Sequence, residues 1–202
     1  MSNFNVLLFE DFETLDALGP VEIIGNLSLF ADERYDVEFY SEGGEITESS
    51  QGVKVDTQPI SQIKETDILL IPGGSGVRRE IDNPDMISHL KELAAEAGFV
   101  LTVCTGSVLL AKTGLLKDLK ATSNKMVFDW VVEQDRDVQW VPEARWVKDG
   151  KFYTSSGVTA GMDMTLAFVR DNLGIKVAEE IADYIEYVWN KDSSVDPFYR
   201  GP

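Results

Sequence analysis

Phe99-Val100-Leu101-Thr102-Val103-Cys104-Thr105-Gly106-Ser107 runs from a short, apolar, partly β-branched segment into small residues that open a helix. Phe99 to Val103 has the length and composition of a buried strand, and Val108-Leu109-Leu110-Ala111 ahead of Gly114 reads as a helix closed by glycine. Cys104 falls on the sharp turn between them. Such an elbow puts its side chain at the carboxyl edge of a sheet, where α/β folds bind ligands, and aims helix amides at the sulfur. Those donors are expected to favour thiolate over thiol. A lone cysteine can equally be a small core hydrophobe. The flanking Thr105, Gly106 and Ser107 favour the reactive reading.

Working outward, Asn5 to Phe9, Asp36 to Tyr40 and Asp67 to Ile71 are further strand-like runs separated by helical patterns and turn clusters. That alternation implies a mostly parallel sheet covered on both faces. Pro20 to Leu29 begins with proline at an expected first helical position, and Pro84 to Ala97 places Met86, Leu90, Leu93 and Ala97 along one face. Arg145-Trp146-Val147 and Phe152-Tyr153-Thr154 flank Lys148-Asp149-Gly150-Lys151, a hairpin expected to extend the sheet. Ala160 to Leu173 is amphipathic and stops at Gly174; Val177, Ile181, Ile185 and Val188 mark a last helix, and Val195 to Pro202 a tail. No repeat or linker divides residues 1–202, so one α/β domain is expected.

A net charge of -17 repels phosphate backbones and anionic membrane surfaces, and no basic run interrupts it, so neither nucleic acid nor membrane is an expected partner. No stretch approaches the ~18 apolar residues of a membrane span and no signal-like leader opens the chain, which makes a cytoplasmic location the expectation. One cysteine and one histidine, His89, exclude an internal disulfide and a cysteine or histidine metal cluster.

Three loops share the expected sheet edge with Cys104. The first, Glu10 to Pro20, carries Asp16, either a helix cap or a proton-transfer group. The second, Ile71-Pro72-Gly73-Gly74-Ser75-Gly76, lets backbone amides approach a ligand, and lacks both the phosphate-loop ending and the dinucleotide glycine spacing. The third, Ser155 to Gly161, is placed to close over the cysteine. His89 sits mid-helix and is a weak candidate base, so papain-like and caspase-like mechanisms are disfavoured and carboxylates become the proton carriers. Asp16 leads, because sheet-edge loops carry chemistry more often than helix interiors, and Glu22 is the secondary acid candidate. Trp130, Trp140, Trp146 and Trp189 are read as core or interface residues.

These segments are similar to those of the ThiJ/PfpI superfamily. The resemblance covers Leu15-Asp16-Ala17-Leu18-Gly19-Pro20, Ile71 to Gly76, Val103 to Ser107 with Gly114-Leu115-Leu116 and Ala121-Thr122-Ser123 behind it, and Gly157-Val158-Thr159-Ala160-Gly161-Met162-Asp163. It implies a single domain with a flavodoxin-like three-layer sandwich and a nucleophile-elbow cysteine. Cys-Thr-Gly-Ser paired with Leu-Asp-x-x-Gly-Pro resembles the isonitrile (isocyanide) hydratases; protease-like and amidase-like branches usually carry histidine where this chain has Thr105. Redox-sensing and glyoxalase-like branches carry glutamate at the Asp16 position, and the shorter aspartate leaves room for substrate or water. Isonitrile hydratases often read His-Trp where this chain reads Asn124-Lys125. The resemblance implies a Cys104 thioimidate with Asp16 as general acid/base and Thr105 assisting, Gly73, Gly74 and Val158 around substrate and developing charge, no cofactor or metal, and a homodimer. A glyoxalase-like or deglycase-like enzyme and a cysteine-based stress sensor without turnover are the alternatives.

Overall fold

The computed structural model describes residues 2–201, so Met1 and the Pro202 end of the expected tail lie outside it. In chain order the elements are β1 (Ser2–Leu7), α1 (Thr14–Gly25), β2 (Tyr35–Ser41), β3 (Ile46–Glu48), β4 (Lys54–Asp56), β5 (Gln58–Pro59), β6 (Ile68–Ile71), α2 (Val77–Glu80), α3 (Pro84–Glu96), β7 (Phe99–Thr102) and α4 (Gly106–Lys112). There follow β8 (Lys120–Ala121), α5 (Phe128–Gln134), β9 (Gln139–Trp140), β10 (Trp146–Asp149), β11 (Phe152–Ser155), α6 (Ala160–Leu173) and α7 (Ile175–Tyr184). The central sheet has the order β10-β11-β7-β6-β1-β2-β5 and is parallel except for the β10–β11 hairpin. β3 with β4 and β8 with β9 form small satellite ribbons.

Helices α1, α6 and α7 pack together as one outer layer, and α2, α3, α4 and α5 as the other. This accounts for the continuous apolar runs: Ile68, Leu69, Leu70 and Ile71 are all buried in β6, as are Val100 and Leu101 in β7, because both sheet faces are covered. β6 and β7 pair with Ile71 opposite Thr102, and β11 pairs with β7 at Thr154 and Thr102. This register brings the loops that leave their carboxyl ends to one edge.

Four boundaries differ from the sequence reading. β1 occupies Ser2–Leu7 rather than 5–9, because Asn5 is accommodated inside it, its Nδ2 donating to Glu65 O and Thr66 Oγ1. α1 starts at Thr14, so Pro20 lies inside the helix and Asp16 belongs to its first turn, not to a preceding loop. Proline there removes the amide that would have met the Asp16 carbonyl, in the second turn of the helix. The same helix ends at Gly25, and Leu27–Leu29 forms a separate 3₁₀ turn. α7 ends at Tyr184, with Glu186 in a left-handed conformation, and Val188 is exposed beyond it.

Candidate active site

Cys104 occupies the elbow between β7 and α4 at φ 57, a conformation that costs a non-glycine residue about 1–2 kcal/mol. Neighbouring groups hold it there. Its amide donates to Ser156 O (3.0 Å), and its carbonyl accepts from Ser123 Oγ (2.8 Å) and Ser107 Oγ (3.2 Å). The third loop and the segment after β8 are thereby fastened to the elbow.

Asp16 is fully buried. Its Oδ2 accepts the Gly73 amide at 3.0 Å, while Oδ1 has no hydrogen-bond partner among the described residues. Gly73 is where the three parts of the site meet, because a Cβ there would stand 2.7 Å from both Thr105 N and Thr105 Oγ1 and 2.9 Å from Asp16 Oδ2. Gly74, at φ +127, lies against the first loop, 2.4 Å from Asp11 O and 2.5 Å from Glu13 N by the same measure. The Gly-Gly pair thus exists to let backbones cross. Its amides are also occupied, Gly73 by Asp16 and Gly74 by Thr105 Oγ1 at 3.3 Å, so the expected pair of free donors for a developing charge is instead used to build the site.

The electrostatics revise the expectation of a resting thiolate. Burial, reinforced by the Asp16 carboxylate, pushes the Cys104 thiol up to about 12, against the pull of the Thr105 amide and the Asn124 side chain. Burial likewise raises Asp16 from 3.8 to about 7, opposed by the Gly73 hydrogen bond and reinforced by the charge of Glu13. The helix-start donors are present, and desolvation with a neighbouring carboxylate outweighs them. Two groups that titrate this far from their ordinary values and influence one another behave as one acid pair.

A cleft of about 240 Å³ opens over the sulfur, bounded by Glu13, Gly74, Ser75, Val77, Arg78, Thr105, Asn124, Met126, Val127, Trp130 and Val158. Cys104 lies at its floor, and Asp16 sits out of the cleft and out of solvent. Val158, at φ 21, comes from the third loop as expected. Trp130, read from sequence as a core or interface residue, instead walls the cleft and carries the Arg78 guanidinium 4.3 Å from its ring centroid. Glu22 is not part of the site; it is exposed on α1, where Asn26 Nδ2 donates to its Oε1 at 3.1 Å. His89 remains in α3, away from the cleft lining.

Asn124, which the sequence does not mark as a functional group, is a further residue at the sulfur. Its Nδ2 donates to Cys104 Sγ at 3.2 Å. The signals in sequence are the polar run Thr122-Ser123-Asn124 directly after the apolar Ala121, and Asn124-Lys125 standing where the resembling hydratases often read His-Trp. Among the described residues no group of three or more His, Cys, Asp or Glu side chains is arranged to hold a metal, and no helix is long and apolar enough to cross a membrane.

Residues 4–171 match the DJ-1/PfpI family. The isonitrile hydratase of Pseudomonas putida is 26% identical over 185 residues, covering 90% of this chain and 76% of that protein. A deglycase of Pyrococcus horikoshii is 31% identical over 147 residues, 71% of this chain and 87% of that one. The crystal structure of a ThiJ/PfpI family protein from Pseudomonas syringae superposes with a TM-score of 0.82 at 25% identity, over 100% of this chain and 79% of that one.

Proposed function

The chain belongs to the DJ-1/PfpI family, and we propose that it hydrates an isonitrile to an N-substituted formamide through Cys104. The observation that carries this reading is the acid pair formed by the Cys104 thiol at the cleft floor, raised to about 12, and the Asp16 carboxyl fully buried outside the cleft, raised to about 7. Above that lower value the pair holds a single proton, on sulfur. The terminal carbon of an isonitrile needs a nucleophile and a proton at the same atom, and such a pair supplies both.

The first step breaks the S–H bond. Asp16 accepts the proton, sulfur attacks the isonitrile carbon, and Asp16 returns the proton to that carbon, leaving a Cys104 thioimidate. Water then adds across the carbon–nitrogen double bond, its hydroxyl to carbon and its proton to nitrogen by way of Asp16. Collapse of this adduct breaks the C–S bond, expels the formamide and returns the hydroxyl proton to sulfur. The proton count closes over the cycle without any cofactor. Peptide or ester hydrolysis fits less well, since the histidine that commonly serves as base to a cysteine nucleophile does not line the cleft.

Similarity to the Pseudomonas putida isonitrile hydratase supports this assignment. A second reading follows from similarity to the Pyrococcus horikoshii deglycase, in which the same thiol would add to a reactive carbonyl. Assay with para-nitrophenyl isonitrile and with methylglyoxal separates them. Formamide production that disappears in Cys104→Ala is the expected result; consumption of methylglyoxal alone would transfer the assignment to the carbonyl enzyme.

A further inference from the structure

We propose that Asn124 is a catalytic residue of this site, the side-chain donor that supports negative charge on Cys104 Sγ while the thiol proton resides on Asp16. Asn124 Nδ2 lies 3.2 Å from the sulfur. Its orientation is fixed by its other end, since Oδ1 accepts the Met126 amide at 2.9 Å and leaves Nδ2 facing the thiol. The residues on either side are also fastened. Ser123 Oγ donates to the Cys104 carbonyl, and Lys125 Nζ donates to Thr122 Oγ1 and to the Ala144 carbonyl, each at 2.6 Å. Opposite, Gly157 keeps the space open: a Cβ there would stand 2.7 Å from Asn124 Nδ2. A carboxamide held at its oxygen by the Met126 amide, flanked by fastened residues and aimed at the reacting atom is preorganised for charge that develops only during reaction.

The arrangement also divides the work. Thiol ionisation is opposed by burial and by Asp16, and Asn124 is one of the few groups that counter them. Asparagine neither accepts nor releases a proton at working pH, so it cannot replace Asp16. In the attack step the S–H bond breaks, the proton goes to Asp16 and the electron pair stays on sulfur, where the Asn124 N–H bond is charge-assisted and strengthened. The pair then forms the S–C bond, and charge on sulfur disappears. Only the identity of the electrophile rests on the isonitrile reading.

The test is the rate at which iodoacetamide alkylates Cys104, measured across pH on the whole protein, alongside isonitrile turnover. Asn124→Leu keeps the volume and removes the donor; alkylation is expected to slow by about tenfold or more at each pH, the worth of a hydrogen bond to a charged atom. Its kcat for isonitrile should fall at least as far with KM little changed. Asn124→His, which restores an N–H donor, should recover the alkylation rate. Gly157→Ala, which leaves Asn124 in the sequence and crowds its carboxamide, should slow alkylation as well. A folded Asn124→Leu protein alkylated at the wild-type rate would overturn the proposal, as would a wild-type rate in Gly157→Ala should the leucine variant fail to fold. Alkylation requires no isonitrile. A wild type inert to isonitriles whose alkylation still slows in Asn124→Leu would retire the hydratase reading and keep this role for Asn124.

Discussion

Replacing Asp16 by asparagine is expected to stabilise the protein above neutral pH while removing most of its activity. The buried carboxyl titrates near about 7 in the folded chain against 3.8 when unperturbed. At about 1.4 kcal/mol per pH unit, that gap makes the ionised folded form about 4 kcal/mol less favourable than it would be with an unperturbed carboxyl. The sign follows from proton counts. Between the two values the folded state binds more protons than the unfolded state, so the stability present below pH 4 is lost as pH rises towards 7 and stays lost above it. Asparagine keeps an oxygen for the Gly73 amide and carries no charge, so Asp16→Asn lacks this slope. For a chain of 202 residues the difference corresponds to a melting temperature roughly 10 °C higher than wild type at pH 8, converging at pH 4. Thermal and urea unfolding of both proteins from pH 4 to 8 is the assay. Curves that coincide at pH 8, or a wild type that gains stability relative to the variant as pH rises, would refute the claim that this acid is held in the site at the expense of stability.

The same acid sets the pH dependence of turnover: kcat/KM for an isonitrile should rise through about pH 7 as Asp16 becomes able to accept the thiol proton and then level off, whereas a maximum on the acid side of 7 would contradict the assigned roles. Gly73→Ala is expected to cost about 1–3 kcal/mol in urea unfolding and to reduce turnover sharply, because its Cβ meets Thr105 and Asp16 at once; wild-type stability would show that the crossing can relax. Away from the cleft, Asp163 Oδ2 lies 2.6 Å from both Nε and Nη2 of the buried Arg145. Asp163→Ala leaves that guanidinium without this partner and should lose about 3–5 kcal/mol, read from the urea midpoint, while a loss below 1 kcal/mol would place the pair among the weak ones.

What could be read from sequence divides along physical lines. The elbow was legible because a covered parallel strand must be apolar on both faces and its helix must begin with small residues, and β7 and α4 lie within a residue or two of the expected bounds. The meeting of Asp16, Gly73 and Thr105 followed from placing their segments at one sheet edge, even though Pro20 gave the wrong start for α1. A proline in the second turn of a helix looks like one at its first position when only local chemistry is weighed. Glu22 misled for a related reason. With α1 beginning at Thr14, six residues at about 100° each turn Glu22 about 240° from Asp16, onto the solvent face. The ionisation state was beyond reach, since helix amides can be inferred from an elbow but burial beside a carboxylate is a property of the assembled site. Asn124 was hidden by its setting, a loop after the two-residue strand β8 with no periodicity to orient it.

The central claim is that Cys104 forms a covalent bond to the isonitrile carbon and that the product leaves as a formamide. Rapid-quench intact-mass analysis of the protein mixed with para-nitrophenyl isonitrile, with peptide mapping and product detection, addresses it directly. The account predicts a transient gain of one substrate mass on the peptide bearing Cys104, formamide released in step with its decay, and neither in Cys104→Ala. Formamide produced at the wild-type rate by Cys104→Ala, or a wild type that gains no mass and makes no formamide, would contradict it.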